Sequence, residues 1–267
     1  MKIYFQNRDK FKKTCLLIIN IILSKIVIGK YGIKYHKNVF YLKKQIESKK
    51  INSITTENND IPNDPIFLKN KIFFKDTRIF SKEKLNNQVN LAIEGEGNVI
   101  KIYPFKGIGS LNITFRNTNF SNFYFGENNQ INNNLYIEYY SACGMQNSHT
   151  NISIGGNNVF NGNVSIISPM KSGNSITIGE DNLFANNIII KGNSDHRIYD
   201  INNNKQINEE KGIIIKNHIW FCDDVLILNK TEIPSNNVIA ARTILNKNYT
   251  EQHSLYAGQP AIIKKII

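Results

Sequence analysis

The sequence has few cysteines, lacks a long apolar run and has no acidic excess, and each of these absences narrows the class of protein. Its three cysteines, Cys15, Cys143 and Cys222, have no paired or CxxC spacing, so neither a disulfide framework nor a zinc cluster is indicated. This cysteine usage fits a reducing cytoplasm. With 267 residues, 41% of them hydrophobic, the chain can bury a sizeable core.

The apolar stretch within residues 12–29 is too short and too polar for a membrane span. It runs from Thr14 to Ile28 and contains Asn20, Ser24 and Lys25, whereas a span needs about 20 mostly apolar residues. No small-residue cleavage site follows, which argues against secretion. We predict an amphipathic helix here. It packs on the protein body, lies on a membrane surface or anchors the chain.

All the excess positive charge lies in the first ninety residues. They hold 19 Lys and Arg against 7 Asp and Glu, whereas residues 91–267 hold 14 of each. Such a block attracts anionic lipid headgroups or an acidic polymer, or it reflects an A/T-rich genome that enriches Lys, Asn and Ile together. We therefore treat residues 1–90 as a basic N-terminal region. Membrane contact is expected through residues 1–40, and no nucleic-acid partner is expected.

A period of six begins at Ile215. Aliphatic or aromatic residues occupy positions 215, 221, 227, 233, 239 and 245. In a parallel β-helix each hexad forms one short strand and a turn, three hexads complete a triangular coil, and the apolar residue points inward. This stretch therefore predicts a parallel β-helix.

A related phrase recurs upstream as FGENN (125–129), IGGNN (154–158) and IGEDN (178–182). Gly, Asn and Asp suit tight corners because they tolerate left-handed backbone angles. The intervals from 125 to 154, from 154 to 178 and from 178 to 215 are 29, 24 and 37 residues long. Because one coil takes about 18 residues, these intervals leave insertions of about 11, 6 and 19 residues. The last insertion is the polar run 192–212, which we predict to be a loop at a corner. Residues 91–102 are predicted to form an early, degenerate coil.

Three segments, 178–208, 213–245 and 256–266, resemble the hexapeptide-repeat acyltransferases, and among them the bacterial O-acetyltransferases of sialic acid, capsule and lipopolysaccharide sugars. The resemblance extends loosely over 91–149 and does not cover the first ninety residues. It implies a mainly β protein with a left-handed parallel β-helix at 91–250, a helical or mixed N-terminal region and a C-terminal segment at 251–267.

The resemblance assigns the general base to His196 in NSDHRIYD, which matches the histidine of an SDxH-like family loop. Transfer from a thioester to a sugar hydroxyl needs a proton removed, and imidazole titrates near neutral pH. The spacing here is SDH, without the intervening residue. Asp195 and Lys205 are predicted to bind substrate. The alternative is a surface-loop histidine without a task.

Trp220, the sole tryptophan, is placed beside the donor and acceptor by the resemblance, with plain packing as the alternative. Cys222 stands where relatives commonly have glycine. A thiol there suggests acyl-cysteine catalysis, but no base is placed near it by sequence. We therefore favour a buried side chain that only fills space in the core. The other histidines carry no predicted catalytic role: His218 is interpreted as structural, His36 and His149 lack supporting context, and His253 is predicted to lie in a loop near the C-terminal tail.

The donor implied by the resemblance is acetyl-CoA. The C-terminal AGQPAIIKK is similar to a family motif that lines the cofactor channel, with Gly258 and Pro260 shaping a turn and Lys264 and Lys265 meeting phosphates or forming a solvated tail. The IAARTI run departs from the family's small-residue pattern. Its Ala240, Ala241 and Arg242 are predicted to contact the cofactor, and Arg242 either binds phosphate or narrows the pantetheine path.

The predicted function is O-acetyl transfer to a bacterial surface glycan, such as an acidic polysaccharide, by a cytoplasmic homotrimer, with association at the inner face of the membrane as an option. Two alternatives stay open at this point. One is an N- or O-acetyltransferase acting on a nucleotide-activated or free sugar. The other is a non-enzymatic β-solenoid binding protein.

Overall fold

A computed structural model describes residues 3–4, 64–81, 83, 85–140 and 147–267. The predicted helix at 12–29, Cys15, Cys143 and His36 lie outside these residues. No helix among the described residues is long and apolar enough to cross a membrane. The described part of the N-terminal region contains one short helix, α1 (Pro65–Lys69), whose first turn is capped by the Asp64 side chain accepting from Ile66 N at 2.9 Å.

Three sheets form the three faces of a prism, as the hexads predicted. Face one consists of β2 (Lys71–Phe74), β3 (Thr77–Ile79), β5 (Val99–Ile102), β8 (Asn122–Phe125), β12 (Asn151–Ile154), β15 (Ser175–Ile178), β19 (Ile213–Ile215) and β22 (Glu232–Ile233). Face two consists of β9 (Gln130–Ile131), β13 (Val159–Phe160), β16 (Leu183–Phe184), β20 (Ile219–Phe221), β23 (Asn237–Ile239), β25 (Ser254–Ala257) and β26 (Ile262–Ile266). Face three consists of β4 (Val89–Ile93), β6 (Ser110–Phe115), β10 (Asn134–Tyr139), β14 (Val164–Ile167), β17 (Ile188–Lys191), β21 (Leu226–Leu228) and β24 (Ile244–Leu245).

The chain passes from face one to face two to face three and then begins the next coil. Neighbouring strands within a face are parallel, apart from β3 and β26, which pair antiparallel with β2 and β25. The parallel β-helix predicted from the sequence is therefore confirmed. Strands β2 and β4 begin before residue 91, so the sheets start earlier than the predicted boundary of the β-helix, and the other segment boundaries stay predictions.

The repeated phrases stack one above another as their spacing predicted. Phe125 pairs with Ile154, Ile154 with Ile178, and Ile178 with Ile215, all on face one. The inward residues fill a narrow core. On face two the rings of Phe160, Phe184 and Phe221 stack nearly parallel with centroids 4.9 and 4.8 Å apart.

A column of buried asparagines joins successive coils at the corner between faces one and two. Asn129 Oδ1 accepts from Asn158 N at 2.8 Å, and Asn158 Oδ1 accepts from Asn182 N at 2.9 Å. The Nδ2 group of Asn158 donates to the carbonyls of Gly155 and Gly179 at 3.1 and 3.0 Å. The last asparagine of each repeated phrase thus satisfies backbone groups that a corner would otherwise leave buried and unpaired.

The insertions all emerge at one corner, between faces three and one. They occupy the connections from β6 to β8, β10 to β12, β14 to β15 and β17 to β19. Two of them pair with each other through the short parallel strands β7 (Thr118–Asn119) and β11 (Asn147–Ser148). This corner therefore carries a stack of loops, of which the one at 192–212 is the longest.

Candidate active site

The loop at 192–212 begins and ends at glycines that approach the preceding coil closely. A Cβ at Gly212 would lie 2.5 Å from the carbonyl oxygen of Ser175, and one at Gly192 would lie 2.9 Å from Pro169 N. Larger residues at these stems would clash, so the two glycines set where the loop leaves the solenoid. Within the loop, β18 (Tyr199–Asp200) pairs antiparallel with β1 (Ile3–Tyr4).

His196 is exposed on the first arm of this loop. Its backbone is held from the second arm, because Asn208 Nδ2 donates to the carbonyl of His196 at 2.6 Å and Asn208 Oδ1 accepts from Ile198 N at 2.7 Å. The loop therefore presents the imidazole from a hydrogen-bonded hairpin and not from a free-standing strand.

The two predicted substrate-binding residues of the loop have different surroundings. The Asp195 carboxylate lies 2.5 Å from Lys191 Nζ, so within the chain its partner is a lysine of β17. Lys205 is exposed on the hairpin tip, where its N–H donates to Asn203 Oδ1 at 2.9 Å. Lys205 is thus open to a ligand, whereas a ligand at Asp195 would compete with Lys191.

Trp220 projects outward from the middle of β20 on face two, with 49% of its surface exposed, while its neighbours Ile219 and Phe221 are buried. It borders a surface pocket of about 550 Å³ lined by Asp181, Leu183, His218, Ile219, Trp220, Asn236, Asn237, Val238, His253 and Ile267. A half-exposed indole at a pocket is poorly explained by core packing, and it is placed to contact a bound molecule.

His196 and Trp220 lie on different sides of the prism. The corner between faces three and one, which carries His196, is opposite face two, from which Trp220 projects. One chain therefore does not bring the two predicted catalytic residues together. Their pairing needs a second copy of the chain and stays a prediction.

The structure brings two of the predicted cofactor segments together. Ala240, Ala241 and Arg242 form the corner between β23 and β24, and the 258–260 turn follows β25. Gln259 Nε2 donates to the carbonyl of Arg242 at 2.8 Å, and the carbonyl of Gly258 accepts from Ile244 N at 3.0 Å. The Arg242 side chain is largely exposed, with Nε 3.8 Å from an Asp224 oxygen. It remains accessible to a phosphate.

Lys264 and Lys265 are exposed on β26, at the edge of face two. Lys265 lies in one row with Leu255, Val238 and Trp220 across adjacent strands. Three strand spacings separate Lys265 from Trp220, about 14 Å. Small residues at the corner and exposed cations nearby fit an extended anionic thioester donor such as acetyl-CoA, which carries phosphates at one end and the reactive group at the other.

Sequence reasoning assigned no catalytic role to His218 or His253, yet both border the pocket beside Trp220. A signal was present in the spacing. Asp181, His218 and His253, together with Asn157 and Asn236, occupy the same position of successive corners, and all have φ between 52° and 62°. Asn, Asp and His are the residue types that tolerate this left-handed region best.

Cys222 is half-buried between face two and the next corner. Burial raises the pKa of its thiol, and the neighbouring Asp223 carboxylate raises it further by a smaller amount. Because the thiolate is the nucleophile, this environment disfavours acyl-cysteine chemistry.

Comparison with known proteins identifies the fold. No family model matches the sequence, and no curated protein matches it. Among solved structures, the polysialic acid O-acetyltransferase OatWY superposes with a TM-score of 0.50 at 21% identity, covering 73% of this chain and 87% of that one. The polySia-specific acetyltransferase NeuO has a TM-score of 0.40 at 24% identity, covering 69% and 83%. The Vibrio cholerae hexapeptide-repeat acetyltransferase VCA0836, complexed with acetyl coenzyme A, has a TM-score of 0.35 at 19% identity, covering 54% and 70%.

The likeness to OatWY shows that the chain has the left-handed β-helix fold of the hexapeptide-repeat acyltransferases. The fold and its handedness, which the resemblance implied, are thereby confirmed.

Proposed function

We propose that this protein is an O-acetyltransferase that moves an acetyl group from acetyl-CoA to a hydroxyl of a bacterial surface glycan. The observation that carries the proposal is the loop at 192–212, which presents an exposed, backbone-anchored His196 from the longest insertion of an acyltransferase fold.

His196 acts as the general base. Its imidazole accepts the proton of the acceptor hydroxyl as that oxygen attacks the thioester carbonyl. A C–O bond forms, the C–S bond breaks, and the proton passes from the imidazolium to the departing thiolate. Acetyl-CoA supplies the acetyl group and the thiolate leaving group. Arg242, Lys264 and Lys265 hold its phosphates, and Trp220 orients the reacting end.

The active site is assembled between copies of the chain, in a homotrimer. The separation of His196 from Trp220 on opposite sides of one prism supports this arrangement, because only a neighbouring copy can bring a loop of one chain to face two of another. The outward row Leu183, Trp220, Val238 and Leu255 gives face two an apolar surface that suits such a contact.

The acceptor is an acidic polysaccharide. OatWY, whose fold this chain shares, is a polysialic acid O-acetyltransferase. The net charge of +12, all of it carried by the N-terminal third of the sequence, favours an anionic polymer over a neutral one. We place the reaction in the cytoplasm, with association of the enzyme at the inner face of the membrane as an option.

The test is acetyl transfer to a panel of acceptors, followed by mass spectrometry. Polysialic acid, a neutral capsular polysaccharide, free sialic acid and a nucleotide sugar are each incubated with acetyl-CoA. Acetylation of the acidic polymer, lost in His196→Asn and retained in His149→Asn, is the expected result. His149 is a matched control because it is an exposed histidine in another insertion of the same corner.

Two other outcomes would overturn parts of the proposal. Preferential acetylation of the free sugar or the nucleotide sugar would move the acceptor to monosaccharide biosynthesis. Absence of both transfer and acetyl-CoA binding by calorimetry would leave a non-enzymatic solenoid.

A further inference from the structure

Glu210, at the end of the long loop, is the only charged residue among the buried residues that the structure describes, with 8% of its surface exposed. Its neighbour Glu209 has a side chain 57% exposed and lies 4.0 Å from Lys171 Nζ. None of the ion pairs found among the described residues involves Glu210. A buried carboxylate without a cation is costly unless hydrogen bonds satisfy it.

Three backbone N–H groups satisfy the Glu210 carboxylate. Oε2 accepts from Met170 N at 2.8 Å and from Lys171 N at 2.9 Å, both in the insertion of the preceding coil. Oε1 accepts from Ser194 N at 3.0 Å, in the first arm of its own loop. Hydrogen bonds to an ionised acceptor are roughly twice as strong as neutral ones. The side chain therefore fastens both the loop and its neighbour at one point.

Ser194, the residue that Glu210 holds, lies two positions before His196 and has a second anchor. Its Oγ accepts from Asn229 Nδ2 at 3.0 Å, from the corner of the following coil, and its carbonyl accepts from His196 N. The backbone just before the histidine is thus fixed from the coil below through Glu210 and from the coil above through Asn229.

We propose that Glu210 is a positioning residue for the acetyl transfer, acting by holding the Ser194 backbone so that the imidazole of His196 reaches the acceptor hydroxyl. This inference rests on the proposed function of His196. Glu210 touches neither substrate, and its effect runs entirely through the placement of the base.

The test uses Glu210→Gln, with Glu209→Gln as the matched control. Glutamine keeps the size of the side chain but turns one acceptor oxygen into an NH₂ group. If its oxygen stays with Met170 and Lys171, the Ser194 N–H loses its acceptor and faces another donor. Misplacing a catalytic group by about 1 Å costs up to about 100-fold in rate. We expect kcat to fall by about 10- to 100-fold in Glu210→Gln, with KM for acetyl-CoA unchanged, and neither to change in Glu209→Gln.

A double-mutant cycle separates positioning from general damage to the fold. If Glu210 acts through His196, Glu210→Gln has no further effect on the residual transfer of His196→Ala. An equal fold-loss in both backgrounds, or an unchanged kcat in the single variant, would overturn the proposal.

Hydrogen exchange tests the clamp without relying on activity. Amides of residues 193–198 should exchange faster in Glu210→Gln than in wild type or Glu209→Gln. The intact protein is labelled in deuterated buffer and then digested, and the peptides are measured by mass spectrometry. Unchanged exchange there would refute the clamp. If the wild type transfers no acetyl group, the proposed function fails while this measurement still decides whether Glu210 holds the loop.

Discussion

Replacing Asn158 by alanine should remove a link that holds two successive coils in register. The side chain makes three hydrogen bonds. Nδ2 donates to the carbonyls of Gly155 and Gly179, and Oδ1 accepts from Asn182 N at 2.9 Å. The residue is fully buried, so water does not replace the lost partners in the folded state.

The expected cost follows from what each partner loses. The N–H of Asn182 is left buried without an acceptor, which costs about 1–3 kcal/mol, and each of the two carbonyls loses one bond worth about 0.5–1 kcal/mol. Asn158→Ala should therefore lower the free energy of unfolding by about 2–5 kcal/mol.

Urea unfolding followed by circular dichroism measures this change, with the midpoint shift converted through the measured slope. Asn161→Ala is the control, because Asn161 is exposed and its Oδ1 accepts only from the half-buried Asn132 side chain at 2.8 Å. The control should change stability by less than about 0.5 kcal/mol. A midpoint shift in Asn158→Ala no larger than that of the control would refute the role assigned to the asparagine column.

Three further predictions concern the candidate site. Trp220→Ala should lower acetyl transfer about tenfold or more while the circular dichroism spectrum stays that of the wild type, because the indole is half exposed and fills no part of the core. In the wild type its fluorescence, unique in the chain, should change on adding acetyl-CoA. Arg242→Gly should raise KM for acetyl-CoA several-fold yet keep stability within about 1 kcal/mol, since Arg242 has φ 57° and glycine adopts that angle without strain. Cys222→Ser should stay active. In the wild type, burial and Asp223 raise the pKa of the Cys222 thiol and leave less thiolate at any given pH. Its alkylation by iodoacetamide, followed by peptide mass spectrometry, should therefore need a higher pH than the alkylation of free cysteine.

The solenoid was predictable because its signal is local and repeated. The hexads from Ile215 and the three related phrases at 125–129, 154–158 and 178–182 each encode one strand and one corner. A coil contacts only its neighbours. The spacing alone therefore gave the stacking of Phe125, Ile154 and Ile178 that the structure contains. The same spacing also places His218 and His253 in the corner column beside Trp220.

The interior of the long loop was not predictable in the same way. Glu210 lies in a polar run where burial follows from contacts with the preceding insertion, about forty residues earlier in the chain, and no periodicity connects the two. The corner at which the insertions emerge likewise depends on which face each hexad joins. The spacing gives the length of an insertion but not its place in the coil.

Mixing two impaired variants tests most directly the claim that His196 of one chain works beside Trp220 of another. His196→Ala and Trp220→Ala are co-expressed with different tags, and mixed oligomers are purified by both tags. In a purified mixed trimer one of the three sites combines an intact His196 with an intact Trp220, so the preparation should regain about a third of wild-type transfer. A mixture no more active than its two parents would contradict the account.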